Sequence, residues 1–162
     1  DIVSILRVRH PPKLPLLNLN NTVVVATWLG YVYTLNVTTK KTQTKASSKL
    51  GHAPLHHPVR IDHSQCLVVS FNGHLTTISS DNALWVKRLP EYIPVPPLVC
   101  GDGEVCVAVG ENDLFLIDLK EGSILEQIPH SVPAPRLATI SGRKLLIYSG
   151  GGQVVSIPMS II

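Results

Sequence analysis

The stretch that decides the fold is VVVATWLGYVYTL, residues 23–35, in which an apolar strand, a short turn ending in Gly30 and an alternating strand follow one another. The same pattern returns as LVVSFNGHLTTI at 67–78, VCVAVGENDLFLI at 105–117 and LLIYSGGGQVVSI at 145–157. The copies are offset by roughly 44, 38 and 39 residues, close to the one-blade period of about 40–45 residues in β-propellers. Four copies at this spacing predict an all-β fold with one blade per copy.

Each copy is flanked by further predicted strands. A short strand entered through proline precedes it at 15–19, 58–61, 97–100 and 135–138, because proline is tolerated at the first residue of a strand. A polar strand suited to a sheet edge follows the first three copies at 42–45, 84–88 and 123–127. Residues 4–11 (SILRVRHP) are similar to 123–130 (SILEQIPH), so the N-terminal strand is predicted to complete the last blade.

The predicted fold class is therefore a four-bladed β-propeller of four-stranded antiparallel blades, closed by the N-terminal strand pairing with the C-terminal blade. A single domain is expected over residues 1–162, with blades at approximately 13–50, 55–90, 95–130, and 134–162 plus 1–10. Closure within one chain is the favoured arrangement. An eight-bladed ring made by two chains, or exchange of the N-terminal strand with a neighbouring subunit, remains open.

The copies resemble the repeats of quinoprotein-like and WD40-like β-propellers. Gly30-Tyr31-Val32-Tyr33-Thr34-Leu35 and Gly73-His74-Leu75-Thr76-Thr77-Ile78 are similar to the strand that follows a glycine turn in those repeats, and Trp85 stands where their fourth strand carries a tryptophan. The other three blades lack this tryptophan, and no copy has the Trp-Asp ending or Gly-His opening of a WD40 blade. The resemblance implies the propeller superfold and no particular ligand.

The sequence has none of the motifs that would predict catalysis. It lacks a Gly-x-Ser-x-Gly elbow, a His-Glu-x-x-His pair and a phosphate-binding loop, and the glycine run 150–152 is predicted to be a hairpin turn. The aspartates fall singly at predicted turns, where their side chains hydrogen-bond the local backbone. We therefore expect a protein that is not an enzyme, with no catalytic residues and no cofactor.

Histidines in the linkers between blades give one ligand-binding hypothesis. His10, Tyr92 and His130 each stand five residues before a strand-entering proline, and His52 stands six before another. Fourfold geometry would bring these side chains to one face, where neutral imidazoles suit a transition metal. The candidate metal ligands are His10, His52 and His130, and ordinary loop histidines are the alternative.

Charge and hydropathy exclude several other classes. A net charge of +3 with 15% charged residues is well short of a nucleic-acid footprint, and no apolar run reaches the 18 or so residues of a membrane span. Cys66, Cys100 and Cys106 show no CxxC spacing, which argues against a zinc site. Free buried thiols are expected, with a Cys100–Cys106 bridge as the alternative in an oxidising compartment.

Two sequons bear on localisation. Asn20 (Asn20-Asn21-Thr22) and Asn36 (Asn36-Val37-Thr38) are candidate glycosylation sites at predicted turns on the same face. The chain begins at Asp1 without a methionine, as a processed protein or an excerpt would. Together these features favour an extracellular setting over a cytoplasmic one.

The function expected from the sequence is that of a non-catalytic propeller serving as a protein-interaction or assembly module, with another protein or a second copy as its partner. One alternative is a fibre-forming structural subunit that exchanges its N-terminal strand. The other is a propeller that binds a metal or small ligand through the histidine ring.

Overall fold

The computed structural model describes residues 10–37, 44–79 and 83–159, and side chains of residues 44–48 are not described. The described residues form four antiparallel sheets and almost no helix, which confirms the predicted all-β class. The chain divides into two compact units, Asp1–Arg88 and Leu89–Ile162, with two sheets in each. The predicted single domain and ring closure stay predictions.

The first unit contains two four-stranded sheets, each ordered as in the sequence. The strands of the first sheet are β1 (Leu17–Leu19), β2 (Thr22–Ala26), β3 (Tyr31–Asn36) and β4 (Thr44–Lys49), and those of the second are β5 (Val59–Arg60), β6 (Gln65–Val69), β7 (His74–Ser79) and β8 (Ala83–Arg88). Short β1 and β5 begin just after the predicted proline entries. The central strands β2, β3, β6 and β7 are the quoted repeat.

The core of the first unit is built from the central strands of both sheets, which are apolar over most of their length. Its buried residues are Leu19, Val24, Ala26, Val32, Leu50, Cys66, Val68 and Ile78. The Arg60 guanidinium also donates a hydrogen bond to the carbonyl oxygen of Asn18. Apolar burial at about 25 cal/mol per Å² is the main force holding the two sheets together.

The second unit holds one sheet of four strands and one of three. The strands are β9 (Leu98–Cys100), β10 (Val105–Val109), β11 (Asp113–Asp118) and β12 (Ile124–Pro129), then β13 (Pro135–Ser141), β14 (Lys144–Ser149) and β15 (Val154–Pro158). Their core joins alternate residues of the central strands with loop residues: Val95, Val105, Val107, Val109, Leu114, Leu116, Val132, Ala138, Leu145, Ile147 and Met159. The glycine run lies in the β14–β15 hairpin, as predicted.

The outer strands are where the sequence prediction was least accurate. The strand placed at 42–45 runs instead over Thr44–Lys49, because this polar segment has no apolar anchor to fix its register. In the second and third sheets the register with the outer strand shifts at the same point, opposite Thr77/Ile78 and Leu116/Ile117. The extra residues at these bulges, Leu84 and Leu125, are about half exposed.

The last sheet has three strands among the described residues. The strand predicted to complete it, within residues 1–9, lies outside the described part of the chain. Separately, no helix in the described residues is long and apolar enough to cross a membrane.

The three cysteines are free thiols, and the suggested Cys100–Cys106 bridge is wrong for a geometric reason. Cys100 pairs with Val105 across β9 and β10, so these two side chains share a face of the sheet. Cys106 is the next residue along β10 and therefore points to the opposite face. Burial raises the pKa of Cys66 to about 12 and also raises the pKa values of Cys100 and Cys106, which keeps the thiols protonated and unreactive at neutral pH.

Candidate functional site

In both sheets of the first unit, the turn between the two central strands is held by a side-chain hydroxyl that bonds to the backbone. We call this arrangement the hydroxyl clamp. Thr27 Oγ1 donates to the carbonyl oxygen of Tyr31 at 3.0 Å and accepts from its backbone N–H at 3.2 Å. In the second sheet Ser70 Oγ accepts the backbone N–H of His74 at 3.2 Å and lies 3.3 Å from the His74 carbonyl oxygen, while its nearest acceptor is Asn72 Oδ1 at 2.5 Å. Each clamp holds a tight turn ending in a glycine with positive φ, Gly30 and Gly73. The turn tips are therefore fixed in position.

Proline-bearing linkers pack along both turns. Pro12 forms an isolated bridge with Thr27, and Pro54 forms the equivalent bridge with Ser70. The residue before each proline accepts a hydrogen bond from the next turn residue, Trp28 and Phe71 respectively. We call the resulting surface the turn face of the first unit, made of residues 10–13, 27–31, 49–54, 70–74 and 88.

The tips of the turn face are apolar and exposed. Trp28 and Leu29 are each 56% exposed, and Phe71, at the position equivalent to Trp28, is 55% exposed. Such residues add nothing to the core of the unit. Exposed apolar side chains that are grouped on one surface commonly mark a binding site.

Cations lie against the aromatic rings of the same face. Lys13 Nζ is 5.0 Å from the centre of the Trp28 ring, and Lys49 Nζ is 5.5 Å from that of Tyr31. The His10 imidazole stacks on Tyr31 with ring centres 4.7 Å apart. At these distances each ammonium group is attracted to the face of its ring.

His52, His74 and Arg88 form a second group of basic side chains, which adjoins the first group through Gly30. A Cβ on Gly30 would lie 2.4 Å from the carbonyl oxygen of His52, so the linker backbone touches the first turn directly. His74 pairs with Arg88 across β7 and β8. Burial lowers the pKa of His74, and the positive charges of Arg88 and His52 lower it further.

Charge is divided unequally between the two units. Residues 1–88 contain ten Lys or Arg against three Asp or Glu, whereas residues 89–162 contain four against eight. The only carboxylate in the described part of the first unit is Asp62, which lies in the β5–β6 turn, at the other end of the sheet from the turn face. Its Oδ1 accepts backbone N–H bonds from Ser64 at 2.6 Å and Gln65 at 2.8 Å. Slight burial raises the pKa of the Asp62 carboxyl, but the hydrogen bonds from Ser64 and Gln65 outweigh it and the pKa is lowered.

The third sheet replaces the hydroxyl clamp with a carboxylate. Gly110 stands where Thr27 and Ser70 stand, and a Cβ there would lie 2.8 Å from the Glu91 carboxyl group. Glu91 Oε2 accepts the backbone N–H of Asn112 at 2.8 Å. In the last sheet the hydroxyl returns as Ser149, which accepts from Gly151 and Gln153. The repeat therefore keeps an oxygen acceptor at this turn by two different means.

The three histidines of the metal hypothesis do not occupy equivalent positions. His10 and His52 each stand two residues before a bridging proline of the first unit. His130, in the second unit, directly follows β12, and its backbone N–H donates to Asn112, just as the N–H of Leu50 donates to Gly30. Within the described ranges no three His, Cys, Asp or Glu side chains are grouped to hold a metal ion. That His10, His52 and His130 together form a metal site stays a prediction.

His130 borders a groove in the second unit, with a volume of about 490 Å³. Its Nδ1 accepts the N–H of Val132 at 3.3 Å, while Nε2 is buried without a partner among the described residues. The groove is lined by Ile128, Pro129, His130, Ser131, Val155 and Ile157. It is mainly apolar and lacks convergent charged groups.

The two sequon asparagines lie at one end of the first sheet, as the sequence predicted. Asn20 is exposed in the β1–β2 turn with φ of 50°, and Asn36 ends β3 opposite Thr22. The N–H of Val37 donates to Asn21, which joins the two turns. This end is opposite the turn face, so glycans at these positions would leave the turn face open. Glycosylation and localisation remain predictions.

Comparison with known proteins finds similarity in structure alone. No protein-family model and no curated protein sequence matches the chain. BamB from Moraxella catarrhalis is similar over 96% of this chain at 16% identity, with a TM-score of 0.71, and the chain spans 51% of its length. The computationally designed Ika4 protein is similar over 87% of both chains at 10% identity, with a TM-score of 0.68. The designed Ika8 protein is similar over 89% of this chain and 45% of its own, at 10% identity and a TM-score of 0.67.

BamB and the two designed proteins are β-propellers. This chain has a β-propeller-like fold. The propeller resemblance stated from the repeats is thereby confirmed. At these identities the likeness extends to the fold and to no ligand or partner.

The turn face was missed by sequence reasoning, although part of its signal was available. Counting charges by halves rather than over the whole chain would have shown the basic first half. The contacts of Lys13 with Trp28 and of Lys49 with Tyr31 could not be counted in this way. The first depends on a linker that folds back across the turn, and the second depends on the register between β3 and β4.

Proposed function

We propose that this β-propeller is a non-catalytic protein-interaction or assembly module, and that its partner docks on the turn face of the first unit. The observation that carries the proposal is the exposure of Trp28, Leu29 and Phe71 at the tips of two equivalent turns. Aromatic residues of this kind are enriched among the residues that dominate binding energy at protein interfaces.

The rigidity of the turns supports the same function. The hydroxyl clamps and proline bridges fix the backbone beneath Trp28 and Phe71 before any partner arrives. A pre-organised surface loses little conformational entropy on binding, so more of the contact energy appears as affinity. The propeller thus acts as a rigid scaffold that presents the exposed side chains of Trp28 and Phe71.

Purification of the tagged chain from the organism that encodes it tests this function. We expect the intact chain to elute in a complex of discrete mass above that of one chain, measured by light scattering. Changing Trp28 and Phe71 to Ser should release the chain, whereas the control pair Leu137→Ser and Val154→Ser, equally exposed in the second unit, should not. A wild-type chain that elutes alone, or a Trp28/Phe71 variant that keeps the complex, would contradict the proposal.

We also propose that residues 4–9 supply the missing strand of the last sheet and close a four-bladed ring within one chain. Three sheets have a fourth strand, and β15 has a free edge in the described residues. The likeness of 4–11 to 123–130, which contains β12, supports this pairing. The match to designed Ika4 covers 87% of both chains, so the two chains are of similar length.

Solution mass and truncation test the closure. When the intact chain is produced alone in a foreign host, without its partner, it should have the mass of a monomer. Removal of residues 1–9 should then lower its unfolding midpoint, with recovery when a synthetic peptide of those residues is added. A dimer would instead indicate a ring of two chains, which the roughly half-length match to BamB and Ika8 also fits. Polymers that become monomers on truncation would indicate a strand-exchanging fibre subunit. A truncated chain with unchanged mass and stability would refute any role for this strand.

A further inference from the structure

We propose that the turn face of the first unit recognises an acidic segment of a polypeptide, one in which carboxylates alternate with aromatic or aliphatic side chains. This inference rests on the proposed function and names the chemistry of the partner. It joins three observations: the placement of the cations, the scarcity of carboxylates in the unit, and the contacts that cover part of the Trp28 and Tyr31 rings.

The cations stand beside the apolar tips. Lys13 lies by Trp28, and Lys49 lies by Tyr31 at the end of β4. Arg88 is exposed at the end of β8, the equivalent position in the second sheet. A carboxylate-bearing segment crossing the tips would therefore meet a cation on either sheet while its apolar side chains contact Trp28, Leu29 or Phe71.

Little within the unit neutralises this charge. Asp62 is the one described carboxylate of the unit, and its Oδ1 is already occupied by the N–H groups of Ser64 and Gln65 in a turn at the other end of its sheet. Clustered charge of one sign attracts ligands of the opposite sign and raises their association rate, more so at low salt. The electrostatic complement of this surface is acidic.

The same surface is poorly built for a single-stranded nucleic acid, which is the other common acidic partner. Binding of that kind needs aromatic faces open to stacked bases. Here His10 stacks on Tyr31, and the Lys13 and Lys49 ammonium groups lie by the Trp28 and Tyr31 rings. Leu29 offers apolar contact without a stacking surface. These features favour a polypeptide.

Fluorescence polarisation with labelled polymers tests the proposal. The probes are a random copolymer of glutamate and tyrosine, polyglutamate, polylysine and oligo-dT, each titrated with the intact chain. We expect the copolymer to bind most tightly and its affinity to fall as salt is raised. The double variant Lys13→Glu/Lys49→Glu should bind the copolymer about tenfold more weakly, which is about 1.4 kcal/mol. Lys13→Gln/Lys49→Gln should fall between, and far-UV circular dichroism reports whether each variant is folded.

The matched control is Lys120→Glu/Lys144→Glu, which makes the same charge change on exposed residues of the second unit. It should retain most of the affinity. Equal losses in both double variants would show attraction to net charge alone and would overturn the assigned surface. Tighter binding of oligo-dT than of the copolymer would overturn the polypeptide class. If no polymer binds while the complex described above still depends on Trp28 and Phe71, the acidic preference fails and the proposed function stands.

Discussion

Replacing Gly30 by Ala tests whether the His52 linker is seated on the first turn. Gly30 has φ of +76°, a conformation that costs an L-residue about 1–2 kcal/mol. The new Cβ would also lie 2.4 Å from the His52 carbonyl oxygen and 2.8 Å from the carbonyl carbon, both backbone atoms. Overpacking of this kind adds about 1–3 kcal/mol, so we expect a total loss of about 2–5 kcal/mol.

Gly51→Ala is the matched control, since it separates the two contributions. Gly51 has nearly the same φ, +77°, but a Cβ there would have nothing within 4 Å. The control should therefore lose only about 1–2 kcal/mol, the cost of the positive φ. The difference between the two variants measures the contact with His52.

Urea unfolding followed by tryptophan fluorescence is the appropriate assay. Both tryptophans, Trp28 and Trp85, belong to the first unit, so the signal reports the unit that is changed. A difference of about 2 kcal/mol between the variants corresponds to about 4–8 °C in a parallel thermal melt. Equal losses for the two alanines would refute the close approach of the linker to the turn, and with it the continuity of the turn face.

The remaining predictions concern buried groups. Thr77→Val should leave stability unchanged or raise it by up to about 1 kcal/mol, because the Thr77 hydroxyl is buried without a hydrogen-bond partner among the described residues. Thr76→Val should instead cost about 1 kcal/mol in urea unfolding, because it breaks the 2.6 Å bond to the Trp85 carbonyl oxygen, and the reverse order would contradict the assigned bonds. A disulfide-exchange reagent at pH 8 should label Cys100 slowly and the two other thiols only after urea is added, since burial holds all three pKa values high; rapid labelling of three native thiols would disagree. His74 has a lowered pKa, so the unfolded state binds its proton first, and the free energy of unfolding should decrease as the pH falls below about 6.5. His74→Gln should flatten this decrease, and an unchanged slope would exclude the residue as its cause.

Much of the fold could be predicted because the core strands carry their own signal. In the first unit, apolar runs such as 24–26 and 67–69 are buried, and the glycine turns after them set where the next strand begins. The outer strand β4 was misplaced because TKASSK has neither an apolar alternation nor a turn residue to fix its ends.

The candidate site was less predictable for the same physical reason. Counting residues back from the strand-entering prolines made His10, His52 and His130 appear equivalent, but the prolines that bridge to the turns are Pro12 and Pro54. Linker lengths between a blade's outer strand and the next blade differ, and the sequence does not show which residue of a linker touches a turn. The hydrogen bond from Asn112 to Glu91 likewise joins two segments that come together only in the folded chain, so the sequence does not reveal it.

Photo-crosslinking from the turn face tests the central claim most directly. p-Benzoylphenylalanine would replace Trp28, 56% exposed, and in a parallel chain Tyr148, 37% exposed in the second unit. In cells of the organism that encodes the protein, irradiation should give an adduct of discrete mass from position 28 and none of that mass from position 148. No adduct at position 28, or the same adducts from both positions, would contradict the assignment of this surface as the place where a partner docks.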